Sequence, residues 1–324
     1  MTSARRPRAG PGGARRTPAT ATPPCPPARA LAEDVRAPPQ PAAPGAPRKG
    51  AGAGGRSWRE REEKMRKRME REGFLGVLEP EDLLSTPAQK ATCAAAGLAL
   101  AACAAEGAAK LGAAHGAAAG AGAGAAAVVA GWLLADLGTG VYHWLVDNYG
   151  GPDTPLVGNQ IAAFQGHHVR PWIILYREFC NNTHLICRPA VPALAGYLAL
   201  SHAADLGGEA DVLIASFTAF VLLSQTLHGW SHGKKSELHP WVLRLQDAGV
   251  FISRTGHAQH HQAPFEGNYC IVSGVWNPLL DGKMGKTSVF RRLEGIIYQR
   301  TGVQPRCWMT KEEIAEATAD WPFM

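Results

Sequence analysis

Acidic residues are nearly missing from the first 56 positions of this 324-residue chain, where Glu33 and Asp34 stand against ten Lys and Arg. The same stretch lacks any apolar run long enough for the hydrophobic region of a secretory signal. Half of the 24 prolines fall there, and with Ala, Gly and Arg for company they cannot build a core. The formal charge of +6 is therefore uneven. Residues 1–56 carry +8, and the 23 basic and 25 acidic residues after them leave the rest near −2. That remainder has no Lys/Arg-rich patch interleaved with aromatics, which argues against nucleic acid as a partner. Cysteine is equally uninformative as a framework. The seven cysteines (Cys25, Cys93, Cys103, Cys180, Cys187, Cys270, Cys307) are odd in number and never spaced CxxC, so neither a disulfide scaffold nor a zinc ribbon follows. An Arg-rich, acid-poor start of this kind reads as an organellar transit peptide.

Charge is the next thing to vanish. Four charge-free stretches, 91–105, 116–135, 189–204 and 212–227, read as membrane helices. The second has the full 20 residues of a bilayer span, while the others are short of the usual roughly 17 to 25 residues. Their Ala and Gly content supplies faces along which helices approach closely. Ahead of them, residues 58–72 alternate acids and bases at helical spacing and read as a solvated helix. If all four stretches span, the chain start, the 136–188 connection and residues 228–324 share one side. Glu106, Lys110, Asp205, Glu209 and Asp211 lie on the other, which is poor in Lys and Arg. The positive-inside rule then puts the termini on the cytoplasm-like side.

What the chain has in excess is histidine. Eleven of twelve fall between His143 and His261, and ten of these lie on the termini side next to the ends of the second and fourth stretches. His143 and Asp147, and again His228 and His232, are four residues apart, one face of a helix. His167 and His168 are adjacent, His184 follows in NNTH, and GHAQHH sets His257, His260 and His261 at spacings that turn all three to one face of a helix. Imidazole suits Zn, Cu, Fe and Ni. A single zinc site takes four ligands at most, so eight or more nitrogens imply two metals or one that is unusually saturated. The near absence of Cys from the clusters argues against an iron–sulfur centre. The scarcity of carboxylates sets the pattern apart from the Glu-rich di-iron sites of soluble bundles. An oxygen-activating iron pair at a membrane surface fits best. A histidine-rich metal carrier is the alternative from another class, but a carrier needs ligands inside its spans. His115, His202 and His239 are read as ordinary surface or loop residues.

The segments GVYHWLVDNYG (140–150), GHHVRPWIILYREFCNNTH (166–184), LHGWSHGKKSEL (227–238) and LQDAGVFISRTGHAQHHQAPFEGNYCIVSGVWNPLLD (245–281) resemble the lipid desaturase family, which includes plasmanylethanolamine desaturase. The resemblance covers roughly residues 130–308, and the NNxH and HGWSHGKKS forms favour its plastid branch. It implies an all-α integral membrane enzyme of about four transmembrane helices with a histidine-rich stromal-side cap. The implied organisation is a transit-peptide-like leader (1–56), a charged helical linker (57–90), a membrane desaturase domain (91–281) and a soluble tail (282–324) with an amphipathic helix near residues 289–300. The implied location is a chloroplast membrane, thylakoid or envelope.

By the same resemblance His143, His167, His168, His184, His228, His232, His257, His260 and His261 hold two irons, with Asp147 as a further ligand or supporting partner. The implied reaction uses O2 and two electrons, from ferredoxin in a plastid, to place a trans Δ3 double bond in palmitate on phosphatidylglycerol. A vinyl ether on another lipid, such as plasmanylethanolamine, is the alternative within the family. Arg170, Arg177, Lys234, Lys235 and Arg254 are the candidates to hold a lipid phosphate, since Arg grips phosphate through paired hydrogen bonds. Trp144, Trp172, Trp230 and Trp276 beside the histidines read as an interfacial belt. Cys270 reads either as a redox-sensitive thiol with a thiol-redox partner or as a small packing residue, with packing preferred.

Overall fold

A computed structural model describes residues 58–71, 79–282 and 288–318; the leader of residues 1–56 lies outside them. Among the described residues there are helices and no strands. The longest helix begins where Thr86 caps it: its hydroxyl accepts the Gln89 N–H, the Gln89 side chain accepts the Thr86 N–H, and Pro87 takes the first position. This helix, α2 (Pro87–Asn148), folds at Gly116, whose φ of 74° is open to glycine and strained for other residues. The limb of residues 87–115 and the limb of residues 117–148 return past each other, and a Cβ on Gly120 would stand 2.7 Å from the Leu111 carbonyl oxygen. With α4 (Phe179–Ala203) and α5 (Gly208–His232), each of 25 residues, the limbs make four long antiparallel rods. Each of the four charge-free stretches supplies one rod.

Small residues set the spacing. Gly107 lies on the α5 backbone at Asp211 and Val212, and Gly131 lies on Ser216 and Phe217. Along the same rods sit small apolar layers: Ala96 with Cys187 and Leu222, Cys103 with Leu194 and Ala215, and Ala135 with Leu227 and Val272. The end carrying the 204–207 turn is closed by a polar clamp. Lys110 Nζ reaches Asp211 at 2.8 Å and Ser201 at 2.9 Å, and Asp211 also accepts from Tyr197 and Ser201. His202 and His115 pair with Glu106 and Glu209 there, as ordinary surface contacts. Two helical segments, Pro80–Asn148 and Gly208–His232, are long and apolar enough to cross a membrane.

The opposite end carries the short elements. They are α3 (Gly158–Val169), a 3-10 turn (Pro171–Leu175), α6 (Pro240–Asp247), α7 (Arg254–His260), α8 (Asn277–Leu280), α9 (Val289–Thr301) and α10 (Lys311–Thr318). The charged helix α1 (Trp58–Arg71) differs from the solvated helix expected of it. Met65 and Met69 are fully buried against Leu83 and Trp172, and the Arg68 guanidinium lies 4.5 Å over the Trp172 ring. Two methionines four residues apart are enough of an apolar stripe to dock an otherwise charged helix. The interfacial belt is likewise revised. Trp172 and Trp144 are buried, and Trp276 donates its Nε1–H to the Leu133 carbonyl.

Because a methyl group on Gly131 would meet Ser216 Oγ and the α5 backbone, Gly131→Ala is expected to lower stability by about 1–3 kcal/mol. Gly122 has open space around its would-be Cβ, so Gly122→Ala is expected to be neutral or stabilising by up to about 1 kcal/mol. Thermal unfolding of the two variants in detergent checks the contrast.

Candidate metal centre

Nine of the expected donors converge at the end of the bundle away from the Lys110 clamp, and they form two groups. His167, His228, His232, His257 and His261 make one; His143, Asp147, His168 and His260 make the other, and within each group the ligand atoms lie within 4.8 Å of one another. Helix periodicity explains the sorting. The α2 pair His143 and Asp147 sits one turn apart and enters the second group together; the α5 pair His228 and His232 enters the first. Neighbours on a helix diverge by about 100°, so His167 and His168 at the end of α3 supply one donor to each group. The three histidines of α7 and its cap do not act as one face. His257 and His261 join the first group and His260 the second. The groups touch, with the His168 and His261 rings 5.1 Å apart.

The donors of the second group are oriented from behind. His143 Nδ1 donates to the Tyr269 carbonyl at 2.9 Å, and His260 Nδ1 donates to the Gly267 carbonyl at 2.8 Å. Both Nε2 lone pairs therefore point forward, where Nε2 of His143, His168 and His260 stand 3.1, 3.5 and 3.4 Å from Asp147 Oδ2. Such carbonyl partners fix ring tautomer and direction. Gln165, on α3, anchors its amide on the Asp147 carbonyl.

The residues present fit a cation. In the first group the Nε2 atoms are 2.9 to 3.2 Å apart along the chain His167, His232, His228, and His232, His257, His261. Two nitrogens bound at about 2.1 Å to one metal and set at right angles lie about 3 Å apart, which is this spacing. Neutral imidazoles that all point Nε2 at one centre cannot all hydrogen-bond one another there. Both Asp147 oxygens are buried without a hydrogen bond, a cost that a bound cation removes. Protonation is disfavoured as well. Burial, helped by neighbouring imidazoles, holds His167, His257 and His261 well below the usual histidine range. It brings His168 down to about 3 even though Asp147 pulls the other way. The α3 and α7 rings are thus neutral, the form that binds metal.

The remaining expected site residues lie elsewhere. His184 is not brought into either group; it lies on α4 with its Nδ1 facing the Cys180 and Asn181 carbonyls of its own helix. Arg177 braces Asn181 at 2.7 Å, and Arg254 donates to the Gly233 carbonyl at the end of α5. Lys234 and Lys235 are exposed, and Arg170 is half-buried two residues after His168. Cys270 is fully buried with its sulfur against Gly140, the packing arrangement.

One residue that matters was not singled out in the sequence. Asp136 is fully buried on α2, and its Oδ1 accepts the backbone N–H groups of Val272, Ser273 and Gly274 at 3.1, 2.7 and 3.0 Å. It straps the 267–274 segment to α2, and that segment supplies the carbonyls behind His143 and His260. The signal was available: Asp136, Gly140, His143 and Asp147 follow each other at spacings of four, three and four on one face of α2.

Although it touches no donor, Asp136→Ala is expected to weaken metal binding by about 10–100-fold, as supporting partners of ligands do. His184→Ala is expected to leave metal content unchanged. Metal titration of the purified variants checks both.

Against known proteins, the model of the lipid desaturase domain matches residues 132–308, which include all nine donors. The chain is 46% identical over 193 residues to Fatty acid desaturase 4, chloroplastic, of Arabidopsis thaliana, covering 59% of this chain and 55% of that protein. It is 34% identical over 183 residues to a probable fatty acid desaturase of Acanthamoeba polyphaga mimivirus, with 55% and 84% covered. It is 32% identical over 185 residues to Plasmanylethanolamine desaturase 1 of Mus musculus, with 55% and 66% covered. The chain spans somewhat over half the length of the Arabidopsis relatives it matches. No solved structure matches. The chain belongs to the lipid desaturase family.

Proposed function

We propose that this chain is a membrane-bound acyl-lipid desaturase that places a trans Δ3 double bond in palmitate on phosphatidylglycerol, using two irons, O2 and electrons from a ferredoxin-type donor. The observation that carries the reading is the pair of abutting donor groups, five histidines in one and three histidines with Asp147 in the other, at one end of four apolar rods. The chloroplastic designation of the Arabidopsis relatives, together with the basic start of the chain, supports a chloroplast membrane. In this reading all four rods span, and the histidine end faces the stroma.

Iron held by these donors would supply an oxidant able to take hydrogen from an unactivated methylene, which side chains alone cannot do. The protein's own part is placement. His143, Asp147, His168 and His260 would hold one iron; His167, His228, His232, His257 and His261 would hold the other. The Tyr269 and Gly267 carbonyls keep Nε2 of His143 and His260 directed at the site. His257, His260 and Asp147 are almost completely buried, which would keep bulk water away from iron held there. The donors lie where α2 and α5 leave their apolar runs, headgroup depth for a spanning bundle. A carbon two bonds from an ester lies at that depth, whereas one in mid-chain does not. Lys234 and Lys235, exposed at the same end, are the leading candidates for the lipid phosphate, and Arg170, two residues after the donor His168, is a further one. Arg177 and Arg254 donate to Asn181 and Gly233.

The kinship with plasmanylethanolamine desaturase keeps vinyl-ether formation as the second reading. Expression in a host that lacks trans-hexadecenoate, followed by acyl profiling of each lipid class, separates the two. The expected outcome is a trans Δ3 C16 chain confined to phosphatidylglycerol. A vinyl ether, or no new product from an iron-loaded protein, contradicts it. His232→Ala and His260→Ala are expected to abolish product while the protein stays in the membrane fraction.

A further inference from the structure

A line of oxidisable rings leads from the second donor group to the surface of the histidine-end cap. It starts at Tyr269, whose ring centroid lies 5.7 Å from that of His143 and 5.2 Å from that of His260. Tyr269 shares a buried cluster with Trp144, and Phe290 contacts both, at 5.5 Å from Tyr269 and stacked at 4.8 Å on Trp144. The Trp144 Nε1–H donates to Glu294 Oε1 at 3.0 Å, and the Trp308 Nε1–H donates to Glu294 Oε2 at 2.8 Å. One carboxylate therefore separates the two indoles. Trp308 lies 5.6 Å from Tyr298, and these last two rings are 38% and 46% exposed.

Packing accounts for Phe290 and for the burial of Trp144. It does not account for Glu294, a carboxylate only 2% exposed and set between two indole N–H groups with Arg291 as its counter-ion at 3.1 Å. Burying such a charge is costly. Its position, however, suits a proton acceptor. Phenol and indole are side chains that yield one electron to a strong oxidant, and an indole that has done so becomes acidic at its N–H. Both N–H protons already point at Glu294.

We propose that Tyr269, Trp144, Trp308 and Tyr298 form a discharge route, drawing electrons inward from the surface when the metal centre becomes oxidised with no acyl chain in place. The proposal rests on the iron-dependent reading given above. In each hop an indole, or Tyr298, gives one electron towards the donor group and regains one from the next ring outward. Each indole proton passes to Glu294 and returns when the ring is re-reduced. The exposed Tyr298 exchanges its phenol proton with water. The buried Tyr269 bridges Trp144 to the donor group without being oxidised itself, so its phenol keeps its proton. At the surface the last electron comes from a soluble thiol. Two such thiols become one disulfide, releasing two protons and two electrons, which quench two oxidising equivalents. Without the route those equivalents would fall on the histidine ligands themselves.

The test uses the full chain in lipid nanodiscs lacking acyl substrate, after iron content and desaturation of supplied phosphatidylglycerol have been measured. The protein is reduced, exposed to O2, freeze-quenched and read by electron paramagnetic resonance. Peptide mass spectrometry then maps oxidation after repeated exposures. The expected result is an organic radical of indole character, with oxidation concentrated at Trp308 and Tyr298. Zinc-loaded protein should show neither. In Trp308→Phe, and in Tyr298→Phe as a second surface variant that preserves packing, initial product formation is unchanged. Iron is lost in several-fold fewer exposures, and added glutathione protects the wild type but not the variants. If iron-loaded protein makes product yet shows no aromatic radical, and both variants keep iron as long as the wild type, the route is overturned and the desaturase reading stands. A chain that takes up no iron overturns both.

Discussion

Eight imidazoles, five buried and three half-buried, and one buried carboxylate set face to face leave hydrogen-bonding atoms unsatisfied, and the rest of this fold is organised around that fact. The Asp147 oxygens lack hydrogen bonds, and the Nε2 atoms crowd to about the spacing they would take around a cation. Left alone, such a cluster costs stability. With cations in both groups, the same lone pairs become ligands, and metal binding contributes to folding.

Holding that cluster in place requires support at three levels. The small-residue contacts at Gly107 and Gly131 bring the two α2 limbs against α5, so that the helix ends bearing His143, Asp147, His228 and His232 emerge side by side. Asp136 then ties the 267–274 segment to α2, and that segment aims two histidines through its carbonyls. The tail adds a third brace. Arg306 reaches the Asp147 carbonyl, and the Cys307 N–H donates to Asn148 at 3.0 Å. The helix expected near residues 289–300 forms as α9 and packs Phe290 on Trp144 and Tyr269.

Much of this was legible in the residues. Charge-free stretches marked the four rods, and i, i+4 pairs marked the α2 and α5 donors because helical spacing is a local property. What local spacing cannot reveal is which donors meet across elements. It grouped His257, His260 and His261 together, whereas the fold divides them between two groups. It also admitted His184, whose place on α4 lies outside both groups. The role of Asp136 depends on contacts more than 130 positions away in the chain, although its place on the His143 face was visible. The docking of α1 through Met65 and Met69 was hidden by the charges around them.

The two-group arrangement makes a definite demand on metal stoichiometry. Iron K-edge absorption combined with metal analysis of the purified, membrane-inserted protein tests it most directly. Two irons per chain are predicted, in nitrogen-dominated surroundings with a carboxylate oxygen at one of them. One iron per chain, none, or a sulfur-dominated shell would contradict the account.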